Sequence, residues 1–136
     1  MKILIMDGQG GKIGSQLIKS ILNRNPEAEL TAVGTNSIAS AAMLRAGAQQ
    51  AATGENPTLV ACRTADVIIG PIGIVIADSL LGEVTPAMAQ AVGQSRAVRI
   101  LIPINRCDNL VAGVQDTSIP VLLDDVLKKL EALDRS

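Results

Sequence analysis

The sequence predicts an α/β, three-layer Rossmann-like fold with a mostly parallel sheet, built as one domain over residues 1–136. Three observations predict it. Short continuous apolar runs, such as Ile3-Leu4-Ile5-Met6 and Val67-Ile68-Ile69, have the composition of strands buried on both faces. Segments of helical periodicity alternate with these runs, the pattern of a parallel sheet with right-handed crossovers. The length of 136 residues suits one hydrophobic core and leaves no room for a second catalytic domain.

The elements follow in order. Ile3 to Met6 is the first strand, and Ile13, Leu17, Ile18, Ile21 and Leu22 then recur at helical spacing. Asn25-Pro26 ends that helix, because a residue before proline is pushed out of the α region. Leu30 to Val33 is a second strand closed by Gly34, and Ser37 offers an N-cap to an Ala-rich helix ending at Gly47. Ala48 to Thr53 forms a third strand, and Glu55-Asn56-Pro57 opens a short helix through Arg63. Val67 to Ile69 is a buried strand, and Thr85-Pro86 starts a helix to about Ser95. Val98 to Ile104 is the next buried strand, with Leu110 to Val114 pairing back on it as an edge hairpin. Ser118 or Thr117 caps a last helix from Pro120 to Leu133, with Asp124 and Asp125 near its start and Lys128 and Lys129 later, the order the helix dipole prefers.

Composition narrows the chemistry. No Phe, Tyr or Trp is present, so Ala, Val, Ile and Leu must fill the core and no base-stacking platform exists. The absence of His excludes imidazole catalysis and His-ligated metal, and the two cysteines, Cys62 and Cys107, are too few for a four-thiolate zinc site. With 12 basic and 13 acidic residues, no field draws in nucleic acid. The longest apolar run, Val67 to Ala77, is too short to span a bilayer, and Met1 to Asp7 does not read as a signal peptide. The expectation is a cytoplasmic protein with free thiols, no metal and no membrane partner.

Polar and glycine-rich residues collect where the strands finish: Asp7 to Gly11, Gly34 to Ser37, Thr53 to Asn56, Gly70 to Gly73 and Asn105 to Asn109. Open α/β sheets bind ligands beyond the carboxyl ends of their strands. Turn residues are needed in such loops in any case, but five of them on one edge point to a site. Gly8, Gly11 and Gly14 form GxxGxxG, with Gly10 a second way of reading the turn. Such a loop, between a strand and a helix, lets backbone amides approach a diphosphate. The expected cofactor-binding residues are therefore Gly8, Gln9, Gly10, Gly11, Lys12, Ile13 and Gly14, joined by Thr35, Asn36, Ser37, Gly70, Pro71, Asn105 and Arg106.

NAD-binding domains usually place an acid about 20 residues beyond this loop to hold the adenosine ribose. Here Thr35 lies twenty-one residues past Gly14 and its neighbours carry no carboxylate. Neutral donors there tolerate a 2′-phosphate, so NADP is admitted alongside NAD; Thr35-Asn36-Ser37 could equally cap a helix and bind another anion. Candidates for chemistry are few. Cys107 stands beside Arg106, which would lower its thiolate pKa if the two side chains met, and it could equally be a small turn residue. Asp78 and Glu83 are possible acid–base groups, five residues apart. Arg106 is the expected anion clamp. Asp7 reads as orienting the glycine loop through its amides, and Cys62 as core.

The segments Asp7 to Gly14, Gly34 to Ala39, Ala52 to Asn56, Gly70 to Val75, Asp78 to Pro86 and Ile102 to Asn105 resemble a family of small bacterial proteins catalogued as a domain of unknown function. The resemblance covers nearly the whole chain, implies a stand-alone domain and lends no activity. Gly8 to Leu17 alone is similar to the cofactor loop of dihydrodipicolinate reductases, whose substrate domain has no counterpart here.

The leading expectation is a protein binding a nucleotide or dinucleotide, NAD(P) first, at Gly8–Gly14, as sensor, carrier or oligomeric enzyme; its Ala-rich helices could pack as a homodimer. The alternatives are an enzyme acting on a small phosphorylated or carboxylated metabolite without dinucleotide, and a subunit that works only with a protein partner.

Overall fold

The computed structural model describes residues 1–104 and 108–135. Five strands form one sheet: β1 (Lys2–Asp7), β2 (Glu29–Gly34), β3 (Gln50–Thr53), β4 (Val67–Pro71) and β5 (Val98–Ile102). Their order is β3-β2-β1-β4-β5 and all four pairings are parallel. The helices are α1 (Lys12–Arg24), α2 (Ser37–Ala46), α3 (Glu55–Cys62), α4 (Pro86–Gln94) and α5 (Ile119–Asp134), with a 3₁₀ turn at Ile72–Val75.

Strand alternation sorts the core into two halves. Ile3, Ile5, Leu30, Ala32, Val67, Ile69, Ile100 and Ile102 pack under α1, α2 and α5. Leu4, Met6, Val33 and Ile68 face the other way, against Cys62 of α3 and Met88 and Val92 of α4. This is a three-layer Rossmann-like α/β fold. The chain leaves β1 for β2 and β3, then returns to lay β4 on the other side of β1. The switch point therefore lies between β1 and β4, the place where open α/β sheets commonly bind ligands.

Local chemistry explains the boundaries. Asn25 ends α1, donating its backbone N–H to Ile21 O before Pro26. Thr85 caps α4 by accepting from Met88 N–H, with Pro86 in the first turn. Gly47, at φ 122°, closes α2.

Several expectations are corrected. The N-cap of α2 is Asn36, whose side chain accepts from Ala39 N–H; Ser37 is the first helical residue. Leu110 to Val114 forms no strand, and Leu110 is 95% exposed. The chain past β5 must recross to start α5 on the α1 side, where Leu123, Val126, Leu127 and Leu130 bury a stripe against the sheet. A hairpin would hold it at the edge instead. β5 stops at Ile102 rather than Ile104, because Pro103 has no N–H for the ladder. α5 has no acid in its first turn. Asp124 and Asp125 stand a turn later and pair with Lys128 and Lys129 at i,i+4, and Asp124 also meets Arg24 of α1. Ser118 occupies the N-cap position of α5 without a side-chain cap, while Thr117 donates to Gln115 O. Among the described residues, no helix is long and apolar enough to cross a membrane.

Candidate functional site at the glycine loop

β1 is central and buried, so it delivers Asp7 into the interior at the carboxyl edge of the sheet. Its carboxylate accepts from Gly8 N–H and Gly14 N–H, each at 2.8 Å. Gly14 is the third residue of α1, and Gly11, at the N-cap position, has no side chain to offer. Asp7 therefore performs the capping from the strand end, satisfying a helix amide that would otherwise be orphaned. Burial raises its pKa above the usual carboxylate value and the nearby charge of Glu83 adds to this, while the Gly14 and Gly8 amides pull it back.

A second carboxylate comes from far along the chain. Glu83 Oε1 accepts from Gln9 N–H at 2.9 Å, Thr35 Oγ1–H at 2.6 Å and Asn36 Nδ2–H at 2.8 Å. Asn36 also donates to Gln9 O at 2.8 Å. Partial burial pushes the Glu83 pKa up, but the bonds from Thr35, Gln9 and Asn36 outweigh it and the pKa is lowered. The segment before Glu83 folds over Gly8: a Cβ there would lie 2.8 Å from Glu83 Oε1 and 2.9 Å from Leu80.

Gly8 and Gly14 serve Asp7, Gln9 serves Glu83, and Gly11 donates to Gly8 O at 2.9 Å. Gly10 and Lys12 N–H take no partner among the described residues. Gly11 itself is locked, with φ 73° and its Cβ position 2.8 Å from the Ala39 backbone, whereas Gly10 has open space around it.

That open side faces a crevice of about 450 Å³, lined by the whole stretch from Asp7 to Ile13 and, opposite, by Pro103, Ile104, Thr117 and Leu122. The volume falls within the range of about 300–1,000 Å³ of small-molecule sites. Lys12 supplies its cation and Asp7 and Asp116 its anions. The polar run Gln115-Asp116-Thr117 before α5 was the signal in the sequence for this far wall.

Not all the expected site residues come together. Thr35 and Asn36 meet the glycine loop through Glu83, on the side away from the crevice, and Ser37 is exposed on α2. Gly70 and Pro71 are buried in β4; a Cβ on Gly70 would lie 2.5 Å from Met6 O, so this glycine lets β4 approach β1. Asp78 is exposed and Glu83 turns to the loop, so the two are not paired. Asn105, Arg106 and Cys107 lie outside the described residues. Cys62 is buried core, its thiol pushed up to about 11 by that burial. No three carboxylates or thiols cluster as a metal cage among the described residues.

Fold and loop together define a Rossmann-like α/β protein whose glycine loop is braced by two carboxylates. The chain belongs to the family described as domain of unknown function (DUF3842), whose model matches residues 2–135. Neither the curated proteins nor the solved structures offer a match.

Proposed function

We propose that this protein binds a phosphate-bearing ligand of nucleotide size in the crevice between Gly8–Ile13 and the chain entering α5. The observation that carries the reading is the pair of amides, Gly10 and Lys12, that no described residue claims, on two residues lining a crevice of about 450 Å³ at the carboxyl end of β1. The phosphate would accept from these two amides, and Lys12 would neutralise charge that Asp7 beneath the loop opposes. NAD(P) is the first ligand to try, with the protein acting in the cytoplasm as sensor, carrier or oligomeric enzyme.

One observation favours the second reading, a smaller phosphorylated or carboxylated metabolite without dinucleotide. Leu80 and Glu83 pack over Gly8, on the path a dinucleotide would take from the loop towards β2. The far wall of the crevice, with Thr117, would then hold the rest of the metabolite.

The test uses the absence of Trp and Tyr, which leaves the polypeptide nearly transparent in the near ultraviolet. Gently purified protein should carry an adenine absorption band that is released on denaturation, and titration with ADP and NAD(P) should show saturable binding. Gly10→Asp, whose Cβ would meet nothing within 4 Å, should abolish that binding while leaving the fold intact. Retained affinity in a folded Gly10→Asp protein sinks the assignment. Binding of sugar phosphates in preference to ADP or NAD(P) selects the second reading.

A further inference from the structure

We propose that Gln9 N–H, Thr35 Oγ1–H and Asn36 Nδ2–H form a second phosphate subsite, on the β2 side of the glycine loop, which Glu83 keeps closed as an internal ligand. The inference rests on the reading of this loop as a phosphate site, and it adds a location and a regulating residue.

Three donors from two separate loops converge on a single oxygen, Glu83 Oε1, at 2.6 to 2.9 Å. That is the coordination a phosphate oxygen receives: a loop amide, a hydroxyl and a side-chain amide at the end of the neighbouring strand. The donors stand on the loops that follow β1 and β2, the half of the sheet that holds the phosphate and ribose of a bound dinucleotide in Rossmann domains. The anion filling them comes from the other half, on a chain segment that leaves β4 and crosses over Gly8. Asp7, the other carboxylate here, is turned under the loop to Gly8 and Gly14 and does not compete for these donors.

The segment carrying Glu83 is held rather than relaxed. Asp78, Leu80 and Leu81 have φ of 65°, 55° and 57°, a left-handed run that bulky residues rarely adopt, followed by Gly82 at 84°. Leu80 is buried against the core, whereas Leu81 is 96% exposed. Glu83 is the end of this segment bound to the loop. A phosphate dianion taking the same three donors would release the carboxylate to solvent and free Gly8. The ligand's affinity is then reduced by the fraction of time the subsite stands open.

The experiment measures binding of inorganic pyrophosphate and of ADP to wild type, Glu83→Ala, Glu83→Gln and Glu83→Ala/Thr35→Val. If the subsite is open about a tenth of the time, Glu83→Ala binds pyrophosphate about tenfold tighter than wild type. Glu83→Gln, whose neutral amide still accepts from the donors, should gain less and guards against a misfolded Ala variant. Adding Thr35→Val should remove most of the gain, because a donor is lost; a gain that survives it is a plain charge effect and overturns the subsite. No gain in either folded Glu83 variant overturns it too, as does a gain with ADP but none with pyrophosphate. The two readings fail separately. A pyrophosphate gain in Glu83→Ala that persists with Gly10→Asp, without wild-type ADP binding, leaves the subsite and removes the crevice. ADP binding lost in Gly10→Asp, with no gain in Glu83→Ala, does the reverse.

Discussion

The two sides of the glycine loop use the same backbone in opposite ways. Towards β2, donors are answered from within the chain: Gln9 N–H, Thr35 and Asn36 by Glu83, with Leu80 laid over Gly8. Towards β5, Gly10 is open and the loop faces a crevice about 450 Å³ in volume. A glycine-rich turn is thus not a site in itself. What matters is which of its amides the protein has already satisfied, since an N–H bonded to a buried or fixed carboxylate is unavailable to a ligand until that carboxylate leaves.

The sharpest way to break this contrast is through adjacent glycines. Gly11→Ala places a Cβ 2.8 Å from the Ala39 backbone at φ 73°, and should cost about 3 kcal/mol or more from strain and overlap together. Gly10→Ala meets nothing and should stay within about 0.5 kcal/mol of wild type. Urea denaturation of the two variants checks this, and equal losses would mean that both sides of the loop are packed alike.

The two carboxylates should give opposite pH slopes. Asp7 has a folded pKa raised above 3.8, so its contribution is full at acid pH and is lost as pH rises through the folded value. The melting-temperature difference between wild type and Asp7→Asn should therefore shrink on going from acid to neutral pH. Glu83 has a folded pKa below 4.5, so its contribution is present above that value and is lost as pH falls through the folded one. The difference between wild type and Glu83→Gln should accordingly grow over the same range. Parallel slopes in a melting series would show that the two acids do not play these distinct parts.

The smallest effect concerns the segment behind Glu83. Leu81 is exposed and left-handed, so Leu81→Gly loses little packing and relieves the backbone, though glycine costs entropy in the unfolded chain. A net stabilisation of up to about 1 kcal/mol is expected by chemical denaturation; a clear destabilisation would mean that this residue is held by contacts rather than strained.

Much of this was legible along the chain, for a physical reason. Burial on both faces demands continuous apolar runs, so β1 and β4 announce themselves in Ile3 to Met6 and Val67 to Ile69. Local rules place ends equally well: proline beyond Asn25, the Thr85-Pro86 start, glycine at 47. The glycine loop and the bracing role of Asp7 follow from a turn that must join a buried strand to a helix. Where two neighbouring residues could do the same job, local chemistry did not choose, and Asn36 rather than Ser37 caps α2 because its side chain also reaches Gln9 and Glu83.

The layers, the strand pairing class and the position of the loop were thus readable from the residues alone, since they depend on periodicity and on neighbours within a turn. What meets the loop is set by the packing of distant segments. Glu83 reaches Gln9 across 74 positions and Thr35 across 48, and the far wall of the crevice arrives from Pro103 and Ile104 after β5 and from Gln115 to Thr117, Ile119 and Leu122 at the start of α5. No spacing rule encodes such meetings, because they are set by the order in which β4 and β5 are laid beside β1 and by the path the connecting segments take over the sheet edge.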